Sequence, residues 1–297
     1  MPPKTQLDRL AISLMLLFCT LWGLQQVAIK IASTGISPAW QAGLRSIGAT
    51  VLVFGWARLR GIPLFGRDGT LWPGLLAGLL FAGEFALIFL GLEFTTASRG
   101  VIFLYTAPFF VALGAKWLLP NERMRRAQWA GMALAFAGVL ALFGENLLRP
   151  SGQAWIGDLM LVGAAMLWAA TTLTVKATAL ARTSAEKMLL YQLAVSALVL
   201  PMLSLGLGEP GVFAPTAGVW ASLAFQTVLV ASASYVGWFW LIRHYPATRL
   251  SSFSFLTPVL GVLAGGVLLG EALTPAVFAA LGLVGAGIWI ANRPAAE

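Results

Sequence analysis

Ten stretches of mostly apolar residues, parted by short turns, leave this chain few ways to fold. They fall at about 10–32, 38–57, 71–91, 97–118, 127–144, 155–177, 185–206, 218–242, 248–269 and 275–291. A helix rising about 1.5 Å per residue crosses a hydrocarbon layer of about 30 Å in roughly 20 residues, the length of these stretches. Inside lipid the backbone must satisfy its own N–H and C=O groups, and a run of this length does so as an α-helix. The breaks carry turn chemistry: Gly35-Ile36-Ser37-Pro38, Gly61-Ile62-Pro63, Arg149-Pro150-Ser151-Gly152 and Gly208-Glu209-Pro210-Gly211. With 59% apolar residues, 10% charged and a mean hydropathy of +0.85, the composition excludes a soluble core. The loops are too short for a soluble domain or an ATPase module. The first stretch follows Lys4 and Arg9 as a signal peptide would. It is longer than an h-region and lacks a small-x-small cleavage site, so it reads as a retained span.

The chain is also written twice. Ala97–Pro108 reads ASRGVIFLYTAP, and Ala247–Pro258, 150 positions on, reads ATRLSSFSFLTP. Glu122–Gly138 matches Glu271–Gly287 in length and small-residue pattern, and Trp22 precedes Lys30 by eight residues, as Trp168 precedes Lys176. Two units follow, residues 1–150 and 151–297, with five spans each. On the N-terminal side lie Lys4, Arg9, Arg58, Arg60, Arg67, Arg123, Arg125, Arg126, Arg182, Lys187, Arg243, Arg249 and Arg293, against Arg99 and Arg149 on the other. Thirteen basic residues against two place both termini in the cytoplasm. Five spans per unit is odd, so the second copy enters from the opposite side. The expected fold is an all-α integral membrane bundle of ten helices in two inverted five-helix repeats, able to expose a central site to either face.

Helices 4 and 9 carry the clearest paired feature, Pro108 and Pro258. Each lacks an N–H and crowds the carbonyl four residues back, at Leu104 and Ser254. They read either as rigid kinks or as hinges. Glu84 is the one acid well inside a span, where a charge must pair, face the interior or be neutral. Arg45 and Lys30 are its candidate partners, while Lys116 and Lys176 are explained by snorkelling. Polar and aromatic groups that would line the centre are Trp22, Gln25 and Gln26, then Ser98, Phe103 and Tyr105. The second half adds Trp168, Thr171, Thr172, Tyr191, Gln192, Gln226, Ser234, Tyr235, Trp238, Ser251, Ser252 and Ser254. From these the substrate-binding set is Trp22, Gln25, Glu84, Ser98, Tyr105, Trp168, Thr172, Tyr191, Tyr235 and Ser254. The remaining tryptophans near span ends fit an interfacial belt.

Enzymatic readings fare badly. HExxH, GxSxG and P-loop motifs are missing, His244 sits in a turn, and Asp8, Asp68 and Asp158 all lie at span ends. No catalytic residue, metal site or cofactor is expected, and the sole cysteine, Cys19, permits no intramolecular disulfide. The net charge of +8 reflects topology rather than nucleic-acid binding.

FTTASRGVIFLYTAPFFVAL followed by NER, and YPATRLSSFSFLTPVLGVLAGGVLLGE, resemble the paired helix-4 and helix-9 signatures of the drug/metabolite transporter superfamily, in its EamA-type branch. The resemblance covers nearly the whole chain. It implies a cavity lined by spans 1, 3, 4, 6, 8 and 9, with Trp22, Glu84, Tyr105, Trp168 and Tyr235 at or near the pathway. The Tyr105/Trp168 combination is similar to that of bacterial aromatic amino-acid exporters. The expectation is an inner-membrane exporter of amino acids, preferentially aromatic or large apolar ones, in which one half rocks against the other. Its partners would be a small-molecule amino acid or related metabolite and the lipid bilayer, not nucleic acid, and it would be a monomer or weak homodimer. The rivals are export of another metabolite or of a drug-like cation, proton-coupled through Glu84, and a non-transporting membrane or lipid-handling subunit.

Overall fold

The computed structural model describes residues 6–119, 122, 124–145, 152–269 and 273–293. The first three spans are α1 (Arg9–Ala32), α2 (Pro38–Leu59) and α3 (Leu71–Phe94). The fourth is split into α4 (Ala97–Leu104) and α5 (Ala107–Leu118), and the fifth is α6 (Arg126–Phe143). The second half runs α7 (Ala154–Ala177), α8 (Ala185–Gly206), α9 (Ala217–Phe225) and α10 (Tyr235–His244), then α11 (Ala247–Phe253), α12 (Leu256–Leu269) and α13 (Pro275–Asn292). A π-helical segment, Gln226–Ser234, joins α9 to α10 within the eighth span. Among the described residues, nine of the spans are long and apolar enough to cross a membrane. The tenth, α2, has the length but places Gln41, Arg45 and Ser46 among its buried residues.

Local chemistry sets the helix starts. Asp8, Thr96, Ser184 and Thr216 each accept a hydrogen bond from the backbone N–H three residues on, capping α1, α4, α8 and α9. The start of α2 is capped from elsewhere: the Glu209 carboxylate accepts from Ala39 N (3.2 Å) and Trp40 N (3.1 Å). Three spans depart from the continuous helices that the sequence suggests. The fourth breaks at Tyr105–Thr106 and the ninth at Ser254–Phe255, just ahead of Pro108 and Pro258. The chain there uses tighter three-residue bonds, Phe109 N to Thr106 O at 3.0 Å and Thr257 N to Ser254 O at 3.0 Å. Each proline cannot donate to its i−4 carbonyl, so the turn before it absorbs the mismatch. The π segment was not foreseen, for periodicity of apolar residues does not distinguish a locally widened helix.

The packing is symmetric between the halves. Spans 5 and 10 pair (α6 with α13), as do 2 and 7 (α2 with α8). Contact of α3 with α7 is matched by α1 with α9, the π segment and α10, and α3 with α8 by α2 with the π segment. Contact of α4 and α5 with α7 is matched by α1 with α12. Exchanging each span for its counterpart leaves this pattern unchanged, as a pseudo-two-fold axis requires. Two equivalent groups emerge: spans 3, 4 and 6, and spans 8, 9 and 1. Each group mixes helices of both halves. Small residues permit the closest crossings. A Cβ on Gly131 would stand 2.6 Å from Gly287 O, one on Gly23 would stand 2.7 Å from Gly261 N, and Gly74 seats the Tyr191 ring.

Candidate functional site

Between the two groups lies a cavity of about 270 Å³. Spans 3, 4 and 6 supply Phe81, Glu84, Phe85, Tyr105, Trp168 and Thr172; spans 1, 8 and 9 supply Trp22, Gln25, Gln226, Tyr235, Trp238 and Thr257. Spans 2 and 7 close the third side with Gln41, Arg45 and Gln192. The walls are aromatic. Trp22 meets Tyr235 and Trp238 edge-on with centroids 6.3 and 5.6 Å apart, and Tyr105 meets Trp168 at 6.0 Å. Trp22 is held by its indole N–H, which donates to Ser234 Oγ at 2.9 Å, while the Ser234 hydroxyl donates to Val230 O at 2.7 Å. The volume sits just under the roughly 300–1,000 Å³ of pockets for drug-sized ligands.

The polar lining is incompletely satisfied. The Gln41 amide donates to Gln226 Oε1 at 3.0 Å, and Ser33 Oγ donates to Gln41 Oε1 at 3.2 Å. Arg45 Nε, Gln192 Oε1, Gln226 Nε2 and Thr257 Oγ1 are buried without a partner. Arg45 is 2% exposed, and its guanidinium carbon lies 4.6 Å above the Phe85 ring.

Of the residues expected to bind substrate, the structure gathers Trp22, Gln25, Glu84, Tyr105, Trp168, Thr172 and Tyr235 on the cavity wall. Tyr191 is not there: its hydroxyl is 3.1 Å from Thr70 Oγ1, near the N-terminal face, and its ring packs on Gly74. Ser254 is not there either, because its hydroxyl turns back to Ser251 O at 2.6 Å in the break before α12. The side chain of Ser98 lies outside the described residues. Lys30 is exposed and stands outside the cavity, which leaves Arg45 as the cation facing Glu84's site. Arg45, which the sequence marks only as a candidate partner for Glu84, lines the cavity itself. Phe81, Phe85, Gln41 and Thr257 also line it, and their wall positions depend on helix rotation, which residue type does not report.

From the middle of the spans the lining extends to Ile29, Gln41, Leu92 and Gly100, toward the ends away from the N-terminus; toward the N-terminal face Lys176 joins the two groups. Lys176 does not snorkel there, contrary to the expectation from its position. Its Nζ lies 3.1 Å from Glu122 Oε1 and donates to Ile242 O (2.6 Å) and to Tyr245 O (2.5 Å). The Tyr245 hydroxyl contacts both Asp8 carboxylate oxygens at 2.9 Å. Lys187 Nζ reaches Asp68 Oδ2 at 2.7 Å. That ammonium, and then Thr70, hold the loop carboxyl of Asp68 below the ordinary carboxylate range. On the opposite face Ser37 and Gly211 exchange hydrogen bonds, and the buried Arg99 and Asp158 form an ion pair to which Thr95 adds a hydroxyl at 2.8 Å.

The sequence profile of the EamA-like transporter family matches the chain twice, over residues 9–144 and 155–293. Among curated relatives, a "Probable amino-acid metabolite efflux pump" of Salmonella typhimurium is 32% identical over 93% of each chain. The "Uncharacterized transporter YoaV" of Bacillus subtilis is 26% identical over 91% of this chain and 92% of that one. The "Uncharacterized inner membrane transporter YedA" of Escherichia coli is 26% identical over 89% and 84%. A crystal structure 21% identical in sequence matches with a TM-score of 0.82 over 95% of this chain and 96% of the other, a likeness of fold.

Proposed function

Because the chain belongs to the EamA-like transporter family, we propose that it exports amino acids, aromatic or large apolar ones above all, across the inner membrane by alternating access. One observation carries the reading: a cavity of about 270 Å³ that combines aromatic walls with Arg45 and Glu84. Aromatic faces and edges accept a ring or a large apolar side chain through offset or edge-on contact. The 32%-identical relative, named as a probable amino-acid metabolite efflux pump, supports the same class. The basic residues crowd the N-terminal face, which the positive-inside rule makes cytoplasmic. The cavity then faces outward in this form, with Lys176 and its acceptors closing the cytoplasmic side. The inward-facing form arises when spans 3, 4 and 6 rock against spans 8, 9 and 1.

Uptake of labelled phenylalanine or tryptophan by proteoliposomes tests the reading. Uptake that competing aromatic amino acids saturate is the expected result. Transport of a different metabolite with none of phenylalanine or tryptophan would remove the substrate assignment. The drug-like cation reading is disfavoured by Arg45, whose positive charge lines the same cavity as Glu84.

A further inference from the structure

Arg45 and Glu84 face one cavity and do not close on each other. Arg45 is 2% exposed and Glu84 8%. Among the described residues neither makes a hydrogen bond or an ion pair, although they are near enough for their charges to interact. The ring of Phe85 holds the guanidinium in place but cannot accept its N–H bonds. A charge inside a membrane bundle is tolerated when something pairs with it. Elsewhere in this protein the rule is obeyed: Arg99 has Asp158, and Lys187 has Asp68.

Symmetry sharpens the point. Arg45 follows the α2 cap, Ser37, by eight residues, and Gln192 follows the α8 cap, Ser184, by eight. Both line the cavity, and both carry an unpartnered buried atom. Glu84 corresponds to Ser234, 150 positions later, whose hydroxyl is committed to Trp22 and Val230. The second half therefore fills the same two positions with neutral groups and folds equivalently. The charges of the first half are not needed to build the bundle.

We infer that Arg45 and Glu84 together read the head of the cargo, so that the cavity selects a solute bearing both a carboxylate and an ammonium group. This rests on the transport reading above and names the feature by which it selects. The carboxylate takes the fork of N–H donors on Arg45, a geometry suited to bidentate pairing. The ammonium takes Glu84, with the Gln192 oxygen as a second acceptor. Gln226 Nε2 offers a further donor to the carboxylate. An aromatic amine leaves Arg45 buried without an anion; an aromatic acid leaves Glu84 without a cation. A site built around a polar group rejects analogues that lack it far more strongly than it rejects a missing methylene.

The test uses the purified full chain in nanodiscs and three ligands of one shape: L-phenylalanine, phenethylamine and 3-phenylpropionate. Binding of labelled phenylalanine is measured, with the other two as competitors. The wild type is expected to prefer phenylalanine to each analogue by at least about 100-fold. Arg45→Gln should lose the preference over the amine while keeping that over the acid, and Glu84→Gln should do the reverse. Arg45→Lys should restore part of the discrimination against the amine. Phenylalanine binding without preference over either analogue overturns the inference and leaves the transport reading standing, and so do variants that weaken all three ligands equally. No binding of any of the three overturns both. The wild-type comparison decides even if a variant fails to fold.

Discussion

Replacing Lys176 with Met keeps the apolar stem and removes the charge that clasps the N-terminal side. In the structure the ammonium is oriented by Glu122 at 3.1 Å and bridges from α7 to the carbonyls of Ile242 and Tyr245, which belong to the other group of spans. Opening toward the N-terminal face would part Lys176 from those carbonyls and leave it with Glu122. The variant therefore weakens the closed form by two hydrogen bonds from a charged donor, each contributing about 1.5–3 kcal/mol. Taking the low end, because the pair keeps 12% and 10% side-chain exposure, the loss is about 3 kcal/mol. At about 1.4 kcal/mol per tenfold, the open population rises about 100-fold. A native reporter is available. Cys19 is the only cysteine; it is buried, donates to Phe253 O at 3.3 Å, and lies close enough to Tyr105 for their side chains to interact across the seam. When reclosing is fast, labelling of a transiently opened site follows the open population. Maleimide labelling of Cys19 should thus accelerate by about two orders of magnitude in Lys176→Met, and by much less in Lys176→Arg. A rate within threefold of wild type, in a variant that melts normally, would show that this clasp does not hold the face shut.

The pseudo-two-fold relation carries that result to the other face. Lys30 stands eight residues after Trp22, as Lys176 does after Trp168, so Lys30→Met should weaken the inward-facing form and slow Cys19 labelling in the Lys176→Met background; faster labelling there would contradict the symmetry. At the crossing of α6 and α13, a Cβ on Gly287 would lie 2.4 Å from Ala135 N. Gly287→Ala should cost about 1–3 kcal/mol by overpacking, read as a lowered melting temperature, whereas Gly282→Ala, which has no atom within 4 Å to meet, should leave melting unchanged. The Asp68–Lys187 pair sets a pH dependence. The Asp68 carboxyl is depressed in the folded chain, so its stabilisation is complete above the unfolded value of about 3.9 and fades as pH falls from there through the lower native value. The melting difference between wild type and Asp68→Asn should be flat from about pH 5 to 8 and shrink below about pH 4; a change centred near neutrality would assign the effect to another group.

Apolar run length and charge bias were enough to read ten spans, because a bilayer penalises any other backbone arrangement. The doubled text foretold the two-repeat plan. Residues whose type is costly in lipid were equally legible: Glu84 stood out because a carboxylate there needs a reason. Tyr191 and Ser254 misled because polarity does not report direction. Both are polar residues inside spans, yet one bonds to Thr70 and the other to its own backbone. Phe81 and Phe85 were overlooked for the converse reason, since an aromatic ring reads alike whether it faces lipid, a neighbour or a cavity. Lys176 was misjudged because its acceptors, the carbonyls at Ile242 and Tyr245, lie 66 and 69 residues along the chain. Its position near a span end gave no hint of them.

The grouping of spans bears on how cargo would drive the cycle. A ligand shifts a conformational equilibrium only by its differential affinity for the two forms. Tyr105 and Trp168 belong to one group of spans, and Trp22, Tyr235 and Trp238 to the other. A side chain lodged between them touches both, so its contacts change as the groups tilt, and a ring that bridges the gap in one form cannot bridge it equally in the other. The head contacts are placed differently. Arg45 sits on α2 and Glu84 on α3, consecutive helices of the first half linked by residues 60–70. Charge would then decide what is admitted, while the apolar body decides how strongly it biases the transition. The seam between the groups keeps near-matching aromatics, Trp22 with Trp168 and Phe85 with Tyr235, in the two halves. In the proposed cycle, matched walls would offer the side chain similar contacts whichever face is open, and the unmatched charges at Arg45 and Glu84 would give the cargo a single orientation in both.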